Sequence, residues 1–132
     1  MTTSDLPAEG QPDVSTEGTE APFDDVITLS SSTGEDGVVT VTVVGEVDTF
    51  TAPVLRSTLD TQLEQQPPEL IIDLSGVQFL GSAGLAVLVE TQKSARSREV
   101  GLQLIATTRA VTRPLEVTGL IDLFTIADSP TR

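Results

Sequence analysis

Ser82 opens the triplet Ser82-Ala83-Gly84, after which Leu85, Leu88 and Val89 recur at helical spacing. The apolar run Leu70-Ile71-Ile72, bounded by Pro68 and Asp73, precedes it and reads as a buried strand. A loop is expected between the two. A hydroxyl therefore stands at the positive end of a helix, directly after a strand. Two chemistries fit that placement. Ser82 can cap the helix, an interaction worth about 1 kcal/mol. It can also accept a phosphate, whose negative charge the free amides and the helix dipole would stabilise. Gly84 removes a side chain and would let a phosphate or another protein's backbone approach closely.

Asp48 and Asp73 are the next candidates. Each is placed at the C-terminal end of a predicted strand, the edge where α/β sheets usually carry function. Either can close an Asx-turn or a cap. Two carboxylates can also hold Mg²⁺, but positions so far apart in sequence are a weak metal signal, and no metal is expected. Thr107 and Thr108 lie at the end of the following strand, where a local cap again suffices.

The elements that must position these residues are legible as patterns. Val26–Ser30 and Val38–Val44, separated by Gly34-Glu35-Asp36-Gly37, predict a β-hairpin with Val39, Val41 and Val43 on one face. Gly45-Glu46-Val47-Asp48 closes its second strand. Thr51 is the expected cap of a helix with Pro53 in its first turn. Ala52, Leu55, Leu59 and Leu63 form that helix's buried stripe, and Gln65-Gln66-Pro67-Pro68 ends it. The Ser82 helix is expected to reach Ser97, with Lys93, Arg96 and Arg98 set against the negative end of its dipole. Leu102–Ala106 predicts a fourth strand, and Thr107 or Thr108 a third helix that ends at Gly119 and is disturbed by Pro114. Leu123–Ala127 predicts a fifth strand. Right-handed crossovers make this an α/β fold: a hairpin leading into a mostly parallel five-stranded sheet with helices on one face.

Composition excludes much. The 132 residues suffice for one self-supporting domain. Cys and His are both absent, which removes thiolate nucleophiles, disulfides and the commonest general base and metal ligand. These absences argue against an enzyme. With Tyr and Trp also absent and a net charge of −13, neither nucleic acid nor an anionic membrane is an expected partner. Over half the acidic residues precede the first cation, Arg56. Residues 1–25, rich in Thr, Ser, Pro, Gly, Asp and Glu, are expected to form a disordered acidic tail before a domain spanning 26–132. With no signal peptide and no apolar run long enough for a bilayer, a cytoplasmic protein is expected.

Three motifs together, GEVD at Gly45–Asp48, DLSGVQFLGSAGL at Asp73–Leu85 and TGL at Thr118–Leu120, resemble the STAS domain of bacterial anti-sigma-factor antagonists. The resemblance covers about Val26 to Asp128. It implies a small strand-helix fold that uses no cofactor. A serine at the start of the second helix is phosphorylated by an anti-sigma factor that is also a histidine-kinase-like serine kinase, and a serine phosphatase reverses the mark. The unphosphorylated form binds that partner and frees a sigma factor. The matching phosphoacceptor is Ser82, and Asp48 matches a conserved acidic position near it. Asp48, Asp73, Gly81, Ser82, Ala83 and Gly84 are then the expected partner-binding residues. Family members commonly carry aspartate where this sequence has Gly81. They usually end in a further helix, where here only Ser129–Arg132 follow the last predicted strand. Two other readings keep the fold: an unswitched subunit of a larger regulatory complex, and a module sensing a nucleotide or another anion.

Overall fold

In the computed structural model, residues 27–128 are described. The expected tail over 1–25 lies outside them, as do Val26, the first residue of the predicted β-hairpin, and Ser129–Arg132. The elements run β1 (Ile27–Thr33), β2 (Val39–Val47), α1 (Ala52–Glu64), β3 (Glu69–Leu80), α2 (Ser82–Ser97), β4 (Gly101–Ile105), α3 (Arg109–Val117), a 3₁₀ turn (Leu120–Leu123) and β5 (Thr125–Ala127). The strands lie side by side in chain order. β1 and β2 are antiparallel, and every later pair is parallel. The hairpin and the parallel sheet expected from the sequence are both present.

The apolar patterns explain the packing. Val39, Val41 and Val43 of β2, Leu70, Ile72 and Leu74 of β3, and Leu104 of β4 share one buried cluster. Ala52, Leu55, Leu59 and Leu63 of α1 and Leu85, Val87 and Leu88 of α2 close over them. α1 and α2 pack against each other, while α3 lies against β3. Val111 and Leu115 anchor α3 in the same core.

Three expectations need correction. The first strand continues past Ser30 to Thr33, because each added residue pairs with β2. The supposed loop after Ile72 is strand as far as Leu80: Asp73, Gly76, Val77, Phe79 and Leu80 pair with β2, and register shifts between Thr42 and Val44 and between Gly45 and Glu46 accommodate the residues between them. At the C-terminal end, Leu123 belongs to the 3₁₀ turn rather than to β5. Gly119, at φ +76°, ends α3 as expected and turns the chain into that tight turn, which closes when the Phe124 amide donates to the Ile121 carbonyl.

Candidate functional site

β2 and β3 end together, and the site is built where they do. Val47 pairs with Leu80, and the Gly81 amide then donates to the Val47 carbonyl at 2.9 Å. That bond ties the start of α2 to the point where the chain leaves β2 for Asp48. Gly81 is extended at φ −89° and ψ −178°, and its carbonyl accepts the first helical bond, from the Leu85 amide at 3.0 Å. Gly81 is therefore the N-cap. Ser82 is the first residue inside the helix, and its hydroxyl does not cap it. The expected capping role of Ser82 is thus corrected: the chain turns one residue earlier. Ser82 is exposed, at the head of a 16-residue helix whose first amides have no carbonyl within the helix to bond. An exposed hydroxyl at a positive helix end can be esterified without dismantling any packing.

Asp48 shapes the other loop. Its Oδ1 accepts from the Phe50 amide at 2.9 Å and the Thr51 amide at 3.0 Å, an Asx-turn. The Thr51 backbone N–H is the main cause that holds the Asp48 carboxyl below its ordinary value of 3.8, with the Phe50 amide and the Thr51 hydroxyl adding to it. The Thr51 hydroxyl accepts from the Asp48 amide at 2.9 Å and donates to the Glu46 carbonyl at 2.8 Å. Thr51 occupies the cap position, but its side chain bonds backward along the chain and leaves the helix amides alone. Thr49, next to Asp48, and Ala83, next to Ser82, line one groove of about 660 Å³ between α1 and α2, with Ala52, Pro53, Arg56 and Ala86. The Asp48 loop and the α2 N-terminus are thus parts of one surface. Arg56 and Glu90 bridge α1 and α2 at 3.1 Å; both are half exposed, so the pair adds little to stability.

Two expected site residues are placed elsewhere. Asp73 is inside β3, paired with Thr42 and Ile105, and not at the strand's end. Its neighbours Ile72 and Leu74 face the helices, so alternation turns Asp73 to the opposite side of the sheet, where its Oδ1 accepts from the Ser75 amide and hydroxyl. Gly84 is buried, and it does not open the surface. A Cβ there would stand 2.6 Å from Leu80 Cδ1 and 2.6 Å from Val47 Cγ1. Its missing side chain lets α2 approach the strand ends. The third helix does begin after Thr108, whose hydroxyl makes no capping bond and is buried without a partner.

Phe79 was not foreseen as a site residue. Half exposed at the end of β3, its ring would lie 3.1 Å from a Cβ on Gly81, so it fills the side-chain space that glycine leaves. Phe50, 74% exposed, stands on the Asp48 loop. The available signal was that the chain has only four aromatic residues, all Phe, and two fall within three residues of Asp48 or Ser82. No cluster of His, Cys, Asp or Glu suited to a metal occurs among the described residues.

A hairpin opening a parallel sheet, with an exposed serine at the head of the second helix, defines a class of small α/β module. The STAS domain family model matches residues 30–131, and the chain belongs to that family. It is 34% identical over 89 residues to the anti-sigma-F factor antagonist RsfB of Mycobacterium tuberculosis, covering 67% of this chain and 72% of that protein. Identity to the anti-sigma-B factor antagonist of Listeria monocytogenes is 37% over 84 residues, 64% of this chain and 74% of that one. The crystal structure of an anti-sigma factor antagonist from Mycobacterium paratuberculosis superposes with a TM-score of 0.74 at 39% identity, covering 84% of this chain and 92% of that one.

Proposed function

We propose that this protein is an anti-sigma-factor antagonist acting in the cytoplasm, a binding module switched by phosphorylation of Ser82. Unphosphorylated, it sequesters an anti-sigma factor that is also a serine kinase of histidine-kinase-like type, and so releases a sigma factor. Phosphorylated, it lets that partner go, and a serine phosphatase resets it. The observation that carries this reading is the exposure of Ser82 as the first residue of α2, beside the Asp48 loop and at one end of the α1–α2 groove. The names of the relatives support the anti-sigma factor as the partner class.

The switch needs only electrostatics. A phosphate adds about −1.5 to −2 charges at a surface the partner must desolvate. A cost of a few kcal/mol suffices, because about 1.4 kcal/mol changes affinity tenfold. No rearrangement of α2 is required. Incubating the chain with the cognate kinase and ATP, then mapping the phosphosite, tests the reading. Phosphate on Ser82 and none on a Ser82→Ala variant is expected. Phosphate elsewhere, or none, would overturn it.

A further inference from the structure

α2 carries a second surface besides the one that holds Ser82. Val89, Gln92, Lys93, Arg96 and Ser97 recur in steps of three or four, so they share one side of the helix. With Leu123 of the 3₁₀ turn they line a cavity of about 340 Å³. The α1–α2 groove is on another side of the helix, where Ala83 and Ala86 line it and Glu90 reaches Arg56. Gln92 Nε2 donates to the Leu123 carbonyl at 2.7 Å, which ties the helix to the turn across 31 residues and holds both walls in place. Leu123 is large, apolar and exposed, and Val89 is only half-buried. Lys93 and Arg96, both exposed, contribute aliphatic stems as well as charge. Neither cation has a carboxylate partner among the described residues, where the ion pair is Arg56–Glu90. In a chain with 20 acidic and 7 basic residues, that leaves a local positive charge uncompensated. Arg96, in the last turn of α2, complements the helix dipole, but Lys93 lies a turn earlier, where that effect fades.

We propose that this cavity binds a small amphipathic anion, a short aliphatic chain ending in a carboxylate, with the chain against Val89 and Leu123 and the carboxylate between Lys93 and Arg96. A cavity of a few hundred Å³ with apolar walls and a few polar groups is the common form of a small-molecule site. Two cations one turn apart offer a carboxylate charge-assisted hydrogen bonds from both. Larger polyanions and anionic membranes are repelled by the net charge of −13, whereas one carboxylate meets only the local pair. From Val89 to Ser97 the cavity follows two turns of α2, roughly 12 Å, which suits a single short chain. Lys93 is roughly 16 Å of helix from Ser82, so both surfaces can be occupied at once.

Titration of the full chain with octanoate, followed by amide NMR, tests this. Expected are saturable shifts at Val89, Gln92, Arg96 and Leu123, and little response to acetate, which lacks the chain, or to octanol, which lacks the charge. A Lys93→Gln/Arg96→Gln variant, changed only at exposed positions, should bind octanoate about tenfold more weakly or worse. Leu123→Ser should weaken it in the same direction. No shift at millimolar octanoate overturns the proposal. So do octanol binding as well as octanoate, unchanged affinity in the double variant, or shifts centred on the α1–α2 groove. Vesicles of phosphatidylglycerol should leave the same amides unmoved; a response to vesicles without one to octanoate would mean that a membrane surface is read instead, and overturns it too. None of these readouts involves Ser82, so failure here leaves the phosphorylation reading untouched.

Discussion

The Gly81 amide and the Val47 carbonyl, 2.9 Å apart, join the end of β2 to the start of α2. Through that bond the Asp48 loop and Ser82 share a base, because each follows directly on a bonded residue. The site is therefore set by the two longest strands of the sheet, both nine residues or more, and not by a flexible loop.

Gly84 is expected to be the least replaceable residue of the candidate motif. Gly84→Ala puts a methyl group 2.6 Å from both Leu80 and Val47, so α2 must shift off the strands. Overpacking of this kind costs about 1–3 kcal/mol, measurable by denaturant unfolding. A variant as stable as the parent would show that the approach of α2 to the strand ends is looser than described.

Gly81→Ala should be mild by comparison. Its φ of −89° suits any residue, and the nearest atoms to a new Cβ belong to the free end of the Phe79 ring, which can rotate. Because Gly81 is the N-cap and alanine caps less well than glycine, a loss of up to about 1 kcal/mol is expected. Gly81→Asp places a carboxylate next to Ser82 and displaces the same ring. On the proposed reading, its rate of phosphorylation by the cognate kinase, followed with labelled ATP, should exceed the parent's. An unchanged rate would remove Gly81 from the account of the switch.

Asp48 should make stability depend on acid. Its carboxyl is held below 3.8 in the folded chain, first by the Thr51 amide. A depressed folded value means the contribution is fully present above the unfolded value and is lost as pH falls through the folded one. Unfolding followed from pH 6 to pH 2 should show that loss beginning below about pH 4 in the parent and missing from Asp48→Asn. The variant should also be less stable than the parent at neutral pH. Identical acid profiles would contradict the Asx-turn geometry.

Leu59→Ala tests the core beneath the site. Leu59 is fully buried in the α1 stripe, and its truncation should cost about 2–5 kcal/mol. Circular dichroism under urea gives the number; a loss below 1 kcal/mol would mean that α1 is not firmly docked.

Much of this was legible in the sequence, for reasons that differ by element. Ala52, Leu55, Leu59 and Leu63 recur at helical spacing because one face of α1 is buried, and the same four residues are buried in the fold. Val39, Val41 and Val43 alternate for the equivalent reason in a strand. The upper half of β3 was not legible. Asp73, Ser75 and Gly76 carry turn chemistry, and pairing with strands far away in sequence, Asp73 with Thr42 and Ile105 and Gly76 with Val44, holds this stretch in a strand. Asp73 was consequently placed at the end of a strand that in fact continues to Leu80. For Gly84 the sequence shows a missing side chain but cannot show whether the gap faces solvent or Val47. The position of Ser82 was right to within one residue, with Gly81 taking the cap.

The central claim is that charge on Ser82 alone decides binding. Calorimetric titration of the cognate anti-sigma factor with the parent chain, its Ser82-phosphorylated form and Ser82→Glu tests it most directly. Since an acidic group at the head of α2 favours the helix dipole, all three should be equally folded. The account predicts tight binding by the parent and at least a hundredfold weaker binding by the phosphorylated chain, about 2.7 kcal/mol, with Ser82→Glu weakened in the same direction. Equal affinity of the parent and the phosphorylated chain would contradict it.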